Sequence, residues 1–445
     1  MSDRVDNFIS NPKKALFKIS LPIIVGMLVQ TLYNVVDTAF IGRLGSEAIA
    51  ALTFAFPVFF ILISVNAGLG IGMNSRIARY MGAKNKTAAE NTAMHGLLVS
   101  LVLAVVIFVL GWFFLDDLFS LFGASEVVLD LAVSYMSIIL IGMFFMFPTY
   151  VSNNIFSAQG DTKTPMKVQV SALVLNIILD PIFIYWLDLG VKGAAIATTI
   201  AFLLGLILSI YYIRKDSYLK LSFKTFNFSS YILKQISKVG LPATIMMLLV
   251  SVYVIFINKL MSGFGVDYVA AFGLVYKLES VATMPIVALS LGLLPLVGMF
   301  YGAKRYDLIK KLFWYSMKLG MVFVFIIGLF FFFIPSIFFR IFTSDANLLL
   351  LSVKYMRIQV FGFFFIVVSM MVARVMQGLG LGIPGLIIML IRLILVTVPI
   401  AYLLVNLGYG FISPAFASLL GGLVASMIGL SWVVWKLNKL DTTGH

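Results

Sequence analysis

The chain has 445 residues, of which 62% are hydrophobic and 11% charged, and its net charge is +14. A soluble domain carries about 25% charged residues, so a water-soluble globular fold is excluded. There is no cysteine, which rules out disulfides and thiolate metal sites. The two histidines, His95 and His445, are too few for a histidine metal cluster.

The long apolar runs cover roughly 20 residues each, enough to cross a bilayer core of about 30 Å. They are continuous, whereas a β-barrel would alternate over strands of about ten residues. The fold class is therefore an all-α integral membrane protein. No cleavable signal peptide is expected, because SDRVDNFISNPKK is polar and leads straight into an apolar helix. Twelve spans are predicted: 15–41, 50–74, 92–115, 131–157, 166–187, 190–213, 239–263, 269–297, 313–338, 352–376, 384–405 and 411–435.

Lysine and arginine divide unevenly between the two sides of these spans. Of the 32 in the chain, 23 fall at the termini and the even-numbered loops and 5 on the opposite side. That bias places both termini in the cytoplasm, with the protein a multi-pass component of the cell membrane. The basic charge thus marks the inner surface, and no nucleic-acid partner is expected.

The chain is also a duplication. Residues 19–84 shifted by 220 fall on 239–304 without a gap: Leu21-Pro22 meets Leu241-Pro242, Tyr33 meets Tyr253, and Gly82-Ala83-Lys84 meets Gly302-Ala303-Lys304. Further on, a shift of 218 brings Gln159-Gly160 onto Gln377-Gly378 and Pro181 onto Pro399. Six spans per half is an even number, so both halves point the same way. The expected organisation is two pseudo-symmetric six-helix bundles, 1–213 and 239–445. A cytoplasmic linker, 214–238, joins them, its aromatics alternating with lysines.

Ionisable groups inside membrane helices are costly and suggest function. Asp37 sits deep in the first span, with Gln30, Tyr33 and Asn34 around it; Tyr33 and Asp37 share a helix face. Asp180 and Asn176 share a face of the fifth span in the same way. Both acids lie within about 6–11 Å of the same ends of their helices, at 1.5 Å per residue. The second half is an internal control. It has Ile257 for Asp37, Val254 for Asn34, Ile394 for Asn176, Val398 for Asp180 and Phe416 for Thr198. The architecture is built there without these polar groups, which argues against a purely structural role as a satisfied helix-to-helix hydrogen bond. Such a pair can take and release protons, or hold a monovalent cation with the nearby amide and hydroxyl.

Pro22 should weaken the first helix toward its start, as a static kink or a hinge. Pro181 frees the carbonyl of Ile177. The Gly68–Gly70–Gly72 run follows a helix, not a strand, and so reads as close helix packing rather than nucleotide binding. Lys259, Lys277 and Glu279 are charges within spans, with Lys259 to Glu279 one pairing. Arg374 and Arg392 are expected to reach for the headgroups, and His95 to serve at the inner interface. Met and Phe residues are expected to pack or to line an adaptable apolar cavity.

Several stretches resemble the multidrug and toxic compound extrusion (MATE) family: VVDTAFIGRLG (35–45), the Gly82-Ala83-Lys84 loop, QGDTKTPM (159–166), NIILDPIFIY (176–185) and GVKGAAIATTIA (190–201). The similarity covers essentially the whole chain, and is nearest the prokaryotic and archaeal branch related to the DNA-damage-inducible transporters. It implies twelve helices in a V around a central cavity, and export of amphipathic, often cationic, drugs or metabolites driven by H⁺ or Na⁺. It implies no enzyme activity and no cofactor beyond the coupling ion. Carried over residue by residue, the ion-coupling set is Tyr33, Asp37, Asn176, Asp180 and Thr198, with Na⁺ as an alternative to H⁺ at Asp37, Asp180, Asn176 and Thr198. Gln30, Tyr33, Asn153 and Asn176 are the implied substrate contacts, and Pro22 the implied hinge. The seventh and tenth spans lack the acids that another branch uses for Na⁺. The alternative is a flippase for lipid-linked precursors on the same fold. The remaining alternative, a membrane lipid transferase, would need an acid or histidine constellation at the inner interface. A monomer in the bilayer is the expected state.

Overall fold

The computed structural model describes residues 2–124 and 126–443, and every regular element among them is helical. A short helix α1 (Ser2–Ser10) precedes α2 (Pro12–Gly42), α3 (Ser46–Gly82), α4 (Lys86–Leu121), α5 (Glu126–Ala158), α6 (Lys163–Pro181) and α7 (Gly190–Lys215). The second half has α8 (Ser230–Ser262), α9 (Val266–Gly302), α10 (Tyr306–Phe333), α11 (Pro335–Phe339), α12 (Ala346–Gln359), α13 (Gly362–Gly378), α14 (Ile383–Leu390), α15 (Val398–Asn406) and α16 (Ser413–Thr443). Wider π-helical turns occupy Ile182–Trp186 after α6 and Ile391–Thr397 between α14 and α15. Eleven helices are long and apolar enough to cross a membrane, or twelve when α12 and α13, bent by 52° at their junction, count as one. The tenth span, expected as one helix over 352–376, is therefore a broken one.

The turns repeat with the sequence. Gly45 and Gly265, 220 apart, start α3 and α9 with φ of 108° and 130°, which favours glycine. Lys84 and Lys304 both lie in the left-handed region, with φ of 55° and 58°. The same offset persists one loop further than expected. The Gly160 amide donates to Ser157 O and the Gly380 amide to Gln377 O. Gln159-Gly160 therefore lies over Leu379-Gly380 rather than Gln377-Gly378. The offset of 220 also holds beyond the next helix, where the left-handed Asp188 and Gly190 (φ of 51° and 52°) match Gly408 and Gly410 (φ of 88° and 70°), so Pro181 and Pro399 are not equivalent positions.

The chain divides into two compact units. One is Leu21–Gly240 with Met1–Arg4; the other is Leu241–His445 with Val5–Ser20. The divisions thus fall at 20/21 and 240/241, immediately before the repeated Pro22 and Pro242, instead of in the linker. In the first unit α5 packs against α3, α4 and α7, and α6 against α7. Its core includes Leu115, Phe119, Met136, Met143 and Phe147, all buried. In the second unit α13 packs against α9, α10, α14 and α16.

Each unit contains a close helix crossing that explains some of its glycines. In the first, a methyl group on Gly72 would lie 2.3 Å from the Ile236 carbonyl oxygen, and one on Gly240 2.8 Å from that of Gly68. In the second, a methyl group on Gly292 would lie 2.4 Å from Ser20 Oγ. Gly72 and Gly292 are 220 apart, as are Ser20 and Gly240, so this is one crossing made twice. The glycine run of α3 is a packing surface.

Residues of the linker are fastened to α4 within the first unit. The Lys220 amide donates to Glu90 Oε1 at 2.6 Å, and Asn91 exchanges two hydrogen bonds with the backbone of Asn227. His95 Nδ1–H donates to Asn91 O at 2.8 Å, and its Nε2 accepts from the Ser229 amide at 2.8 Å. Phe226 and Phe228 pack on the same ring. His95 thus holds the linker against α4.

Candidate ion-coupling site

The site is built from four helices of the first unit. Spacing of four residues puts Tyr33 over Asp37 on α2 and Asn176 over Asp180 on α6. Asn176 Nδ2 donates to Asp180 Oδ1 at 3.0 Å, and Asp180 is fully buried. Asp180 Oδ2 is buried with no hydrogen-bond partner. Thr198, on α7, stands close to the hydroxyl of Tyr33, on α2. Asp37 and Asp180 lie near enough to act on one another electrostatically, and both act on Tyr33 and on Tyr135 of α5. Among the described residues no lysine or arginine forms an ion pair with either acid.

Thus Tyr33, Asp37, Asn176, Asp180 and Thr198 converge as the sequence indicated. Tyr135 joins them and was missed. Its signal was available: Tyr33 and Tyr135 shifted by 220 give Tyr253 and Tyr355. Beside the acids, Ile41, Ala48, Ile184, Val191 and Ala194 make a small apolar core, with Phe40, Leu44, Tyr135 and Tyr185 against it. Tyr185 Oη donates to Phe40 O at 2.5 Å and ties the π turn to α2. This core separates the acids from the nearer ends of their helices.

The other expected residues lie apart. Gln30 Oε1 accepts from Gln169 Nε2 at 3.1 Å, two turns below Asp37. Asn153 is 18 residues from Tyr135 along α5, about 27 Å at 1.5 Å per residue. Its Oδ1 is buried with no hydrogen-bond partner, but it does not join the acid cluster. Pro22 lies inside α2, just past the unit boundary. The side chain of Asn34 lies outside the described residues.

The second unit holds a different polar cluster. Gln359 Nε2 donates to Glu279 Oε2 at 2.9 Å, and Arg392 is an electrostatic neighbour of Glu279. Tyr253 stands close to Ser418 and near both charges. These contacts correct three expectations. Lys259 is exposed and Glu279 has other neighbours, so the two are not a pair. Lys277 is exposed too, with its ammonium 5.1 Å from the Phe342 ring centre. Arg392 is 9% exposed and an electrostatic neighbour of Glu279 instead of reaching for headgroups, while Arg374 donates to Gln377 Oε1 at 2.9 Å. The sequence missed the cluster because its members come from helices far apart in the chain.

A duplicated helical bundle with acids buried inside its spans defines a membrane transporter rather than an enzyme. The MatE family model matches residues 22–182 and again 242–403, and the chain belongs to that family. The two matches reproduce the internal repeat. A FAD transporter of Shewanella oneidensis is 30% identical over 400 residues, covering 88% of this chain and 87% of that one. The probable multidrug resistance protein YoeA of Bacillus subtilis is 27% identical, over 86% and 85% of the two chains. The multidrug export protein MepA of Staphylococcus haemolyticus is 31% identical over 64% of each. Among solved structures, a MATE transporter in a bent conformation superposes with a TM-score of 0.95 at 31% identity, over 99% of this chain and 98% of that one. A MOP-superfamily transporter from Pyrococcus furiosus, described as having a binding pocket of reversed polarity, superposes with 0.92 at 31% identity over 97% of each.

Proposed function

We propose that the protein is an antiporter that exports amphipathic small molecules in exchange for an inward flow of protons or sodium ions, with Asp37 and Asp180 carrying the ion. The observation behind this reading is the buried Asp180 Oδ2, which has no hydrogen-bond partner and lies near a second carboxylate, with no lysine or arginine paired to either among the described residues. A buried carboxylate is strongly disfavoured without compensation. A proton, or a sodium ion ligated by carboxylate, amide and hydroxyl oxygens, supplies it.

Neutralising the pair changes the balance between two states of the scaffold. Ion and substrate then favour opposite states, as antiport requires. Bending of α2 at Pro22 is the proposed movement, since a proline there lacks the amide that would tie it to the preceding turn. Gln30 and Asn153 are proposed substrate contacts, each polar and set along its helix at a distance from the acid cluster. The named relatives, drug exporters and a FAD transporter, support flat, partly apolar molecules as the substrate class. We place both termini in the cytoplasm and take the monomer as the working unit. A flippase would draw the positive charge for a lipid pyrophosphate from Arg374 and Arg392, and the hydrogen bond of Arg374 to Gln377 and the nearness of Arg392 to Glu279 weaken that reading.

The test is ethidium efflux from proteoliposomes with pH and sodium gradients imposed separately, wild type beside Asp37→Asn and Asp180→Asn. Efflux should follow one of the gradients and be lost in both variants. Normal gradient-driven efflux in both variants would reject the mechanism.

A further inference from the structure

Each unit surrounds an equivalent pair of tyrosines with charge, and does so differently. In the first unit Tyr33 and Tyr135 stand near Asp37 and Asp180, two acids and no base. In the second, Tyr253 and Tyr355, each 220 residues on, stand near Glu279, and Tyr253 also near Arg392. Tyr276 is the other titratable neighbour of Glu279. The formal charge is −2 in one cluster and 0 in the other. Position 392 falls opposite Val174 at an offset of 218 and Ala172 at 220. The base therefore has no counterpart in the first half.

We propose that Arg392 is a built-in counter-cation. It permanently does at Glu279 what an exchangeable ion does at Asp37 and Asp180, so the second unit carries no coupling ion. This rests on reading Asp37 and Asp180 as the coupling acids. A guanidinium cannot lose its proton inside a protein, so the compensation does not vary through the cycle. The cluster would otherwise suit a cation. Gln359 orients the carboxylate from one side, and Gln359 Oε1 and Tyr355 Oη are buried without hydrogen-bond partners, Gln359 6% and Tyr355 1% exposed. Tyr355 faces Glu279. Without Arg392 the same oxygens surround an uncompensated acid, which makes a latent second ion site.

The experiment uses full-length protein in proteoliposomes. Proton uptake, by internal pyranine, and ²²Na⁺ uptake are measured per ethidium exported. Arg392→Gln should move an extra ion per ethidium, and the extra uptake should vanish in Arg392→Gln/Glu279→Gln. An unchanged ratio in folded Arg392→Gln would overturn the proposal. So would loss of ion uptake in folded Glu279→Gln, since Glu279 would then be a coupling acid itself. Unfolding midpoints give a second test that needs no transport. Each single variant leaves one buried charge uncompensated, so each should lower the midpoint and the double variant should regain most of the loss. Losses that merely add would overturn it. Asp37→Asn is measured alongside. If it keeps ion uptake, the first-unit mechanism fails, while the midpoint cycle still decides whether Arg392 compensates Glu279.

Discussion

At Asp180 one carboxylate oxygen is held by Asn176 and the other by nothing. A buried charge of this kind is unfavourable for folding, so function and stability pull apart at this position. Asp180→Asn should cut ion-driven efflux at least about tenfold, equivalent to about 1.4 kcal/mol in the rate-limiting barrier. It should also raise the unfolding midpoint by about 2–4 °C for each 1 kcal/mol of relief. Efflux assays and thermal unfolding of the same preparation check both halves. Tyr135→Phe keeps the ring in its core and removes the hydroxyl. Stability should change by no more than about 1.5 kcal/mol, while the ion dependence of efflux shifts, measured by titrating the driving ion. The acids were legible in the sequence because a charge inside an apolar run is conspicuous and a spacing of four fixes the shared face. Tyr135 was missed because a tyrosine in an aromatic-rich helix is not conspicuous by itself, and only its repeat at Tyr355 marks it. The neighbours of Glu279 were hidden for another reason: contacts between distant helices leave no spacing to read.

Among the elements, the crossing of α3 with the start of α8 leaves no room for a side chain. Gly72→Ala would push a methyl group onto backbone, which cannot yield as a side chain can. It should cost about 1–3 kcal/mol, whereas Gly42→Ala meets nothing within 4 Å and should be near neutral. Unfolding midpoints of the purified variants, compared side by side, decide this. The linker offers a second prediction. His95→Phe preserves the stacking on Phe226 and Phe228 but removes the acceptor for the Ser229 amide. Trypsin should then cleave after Lys220 and Lys224 several-fold faster, read as the rate of appearance of the two halves. Helix ends were legible only to within several residues: the span expected at 92–115 is Lys86–Leu121, capped by Asn85. The break at Val360-Phe361 was not, because no proline announces it and Gly362 alone is a weak signal.

For the whole molecule, the distribution of lysine and arginine sets an orientation that labelling can check. The chain has no cysteine, so each introduced one reports on its own position alone. Lys224→Cys and Thr442→Cys should resist a membrane-impermeant maleimide applied to intact cells. Asp188→Cys and Ser344→Cys, in exposed turns on the other side, should react. The reverse pattern would invert the topology. The twelve-span plan was legible because hydrocarbon thickness imposes a length on every crossing. The division into units was not, because it depends on which helix starts pack where.

That division has a consequence for how the protein is made. Val5–Ser20 is among the earliest segments to be synthesised, yet the unit it belongs to is otherwise encoded from Leu241 onward. At about 5–20 residues per second, the segment waits on the order of 10–40 s for its partners. Ser230–Gly240 has no such wait, because its unit is already in place. The two halves thus trade their leading segments as the protomers of a domain-swapped dimer do, except that here a single polypeptide carries both. Neither half is a complete folding unit, and a ribosome that stops in the linker leaves a bundle short of one helix start and a helix start short of its bundle.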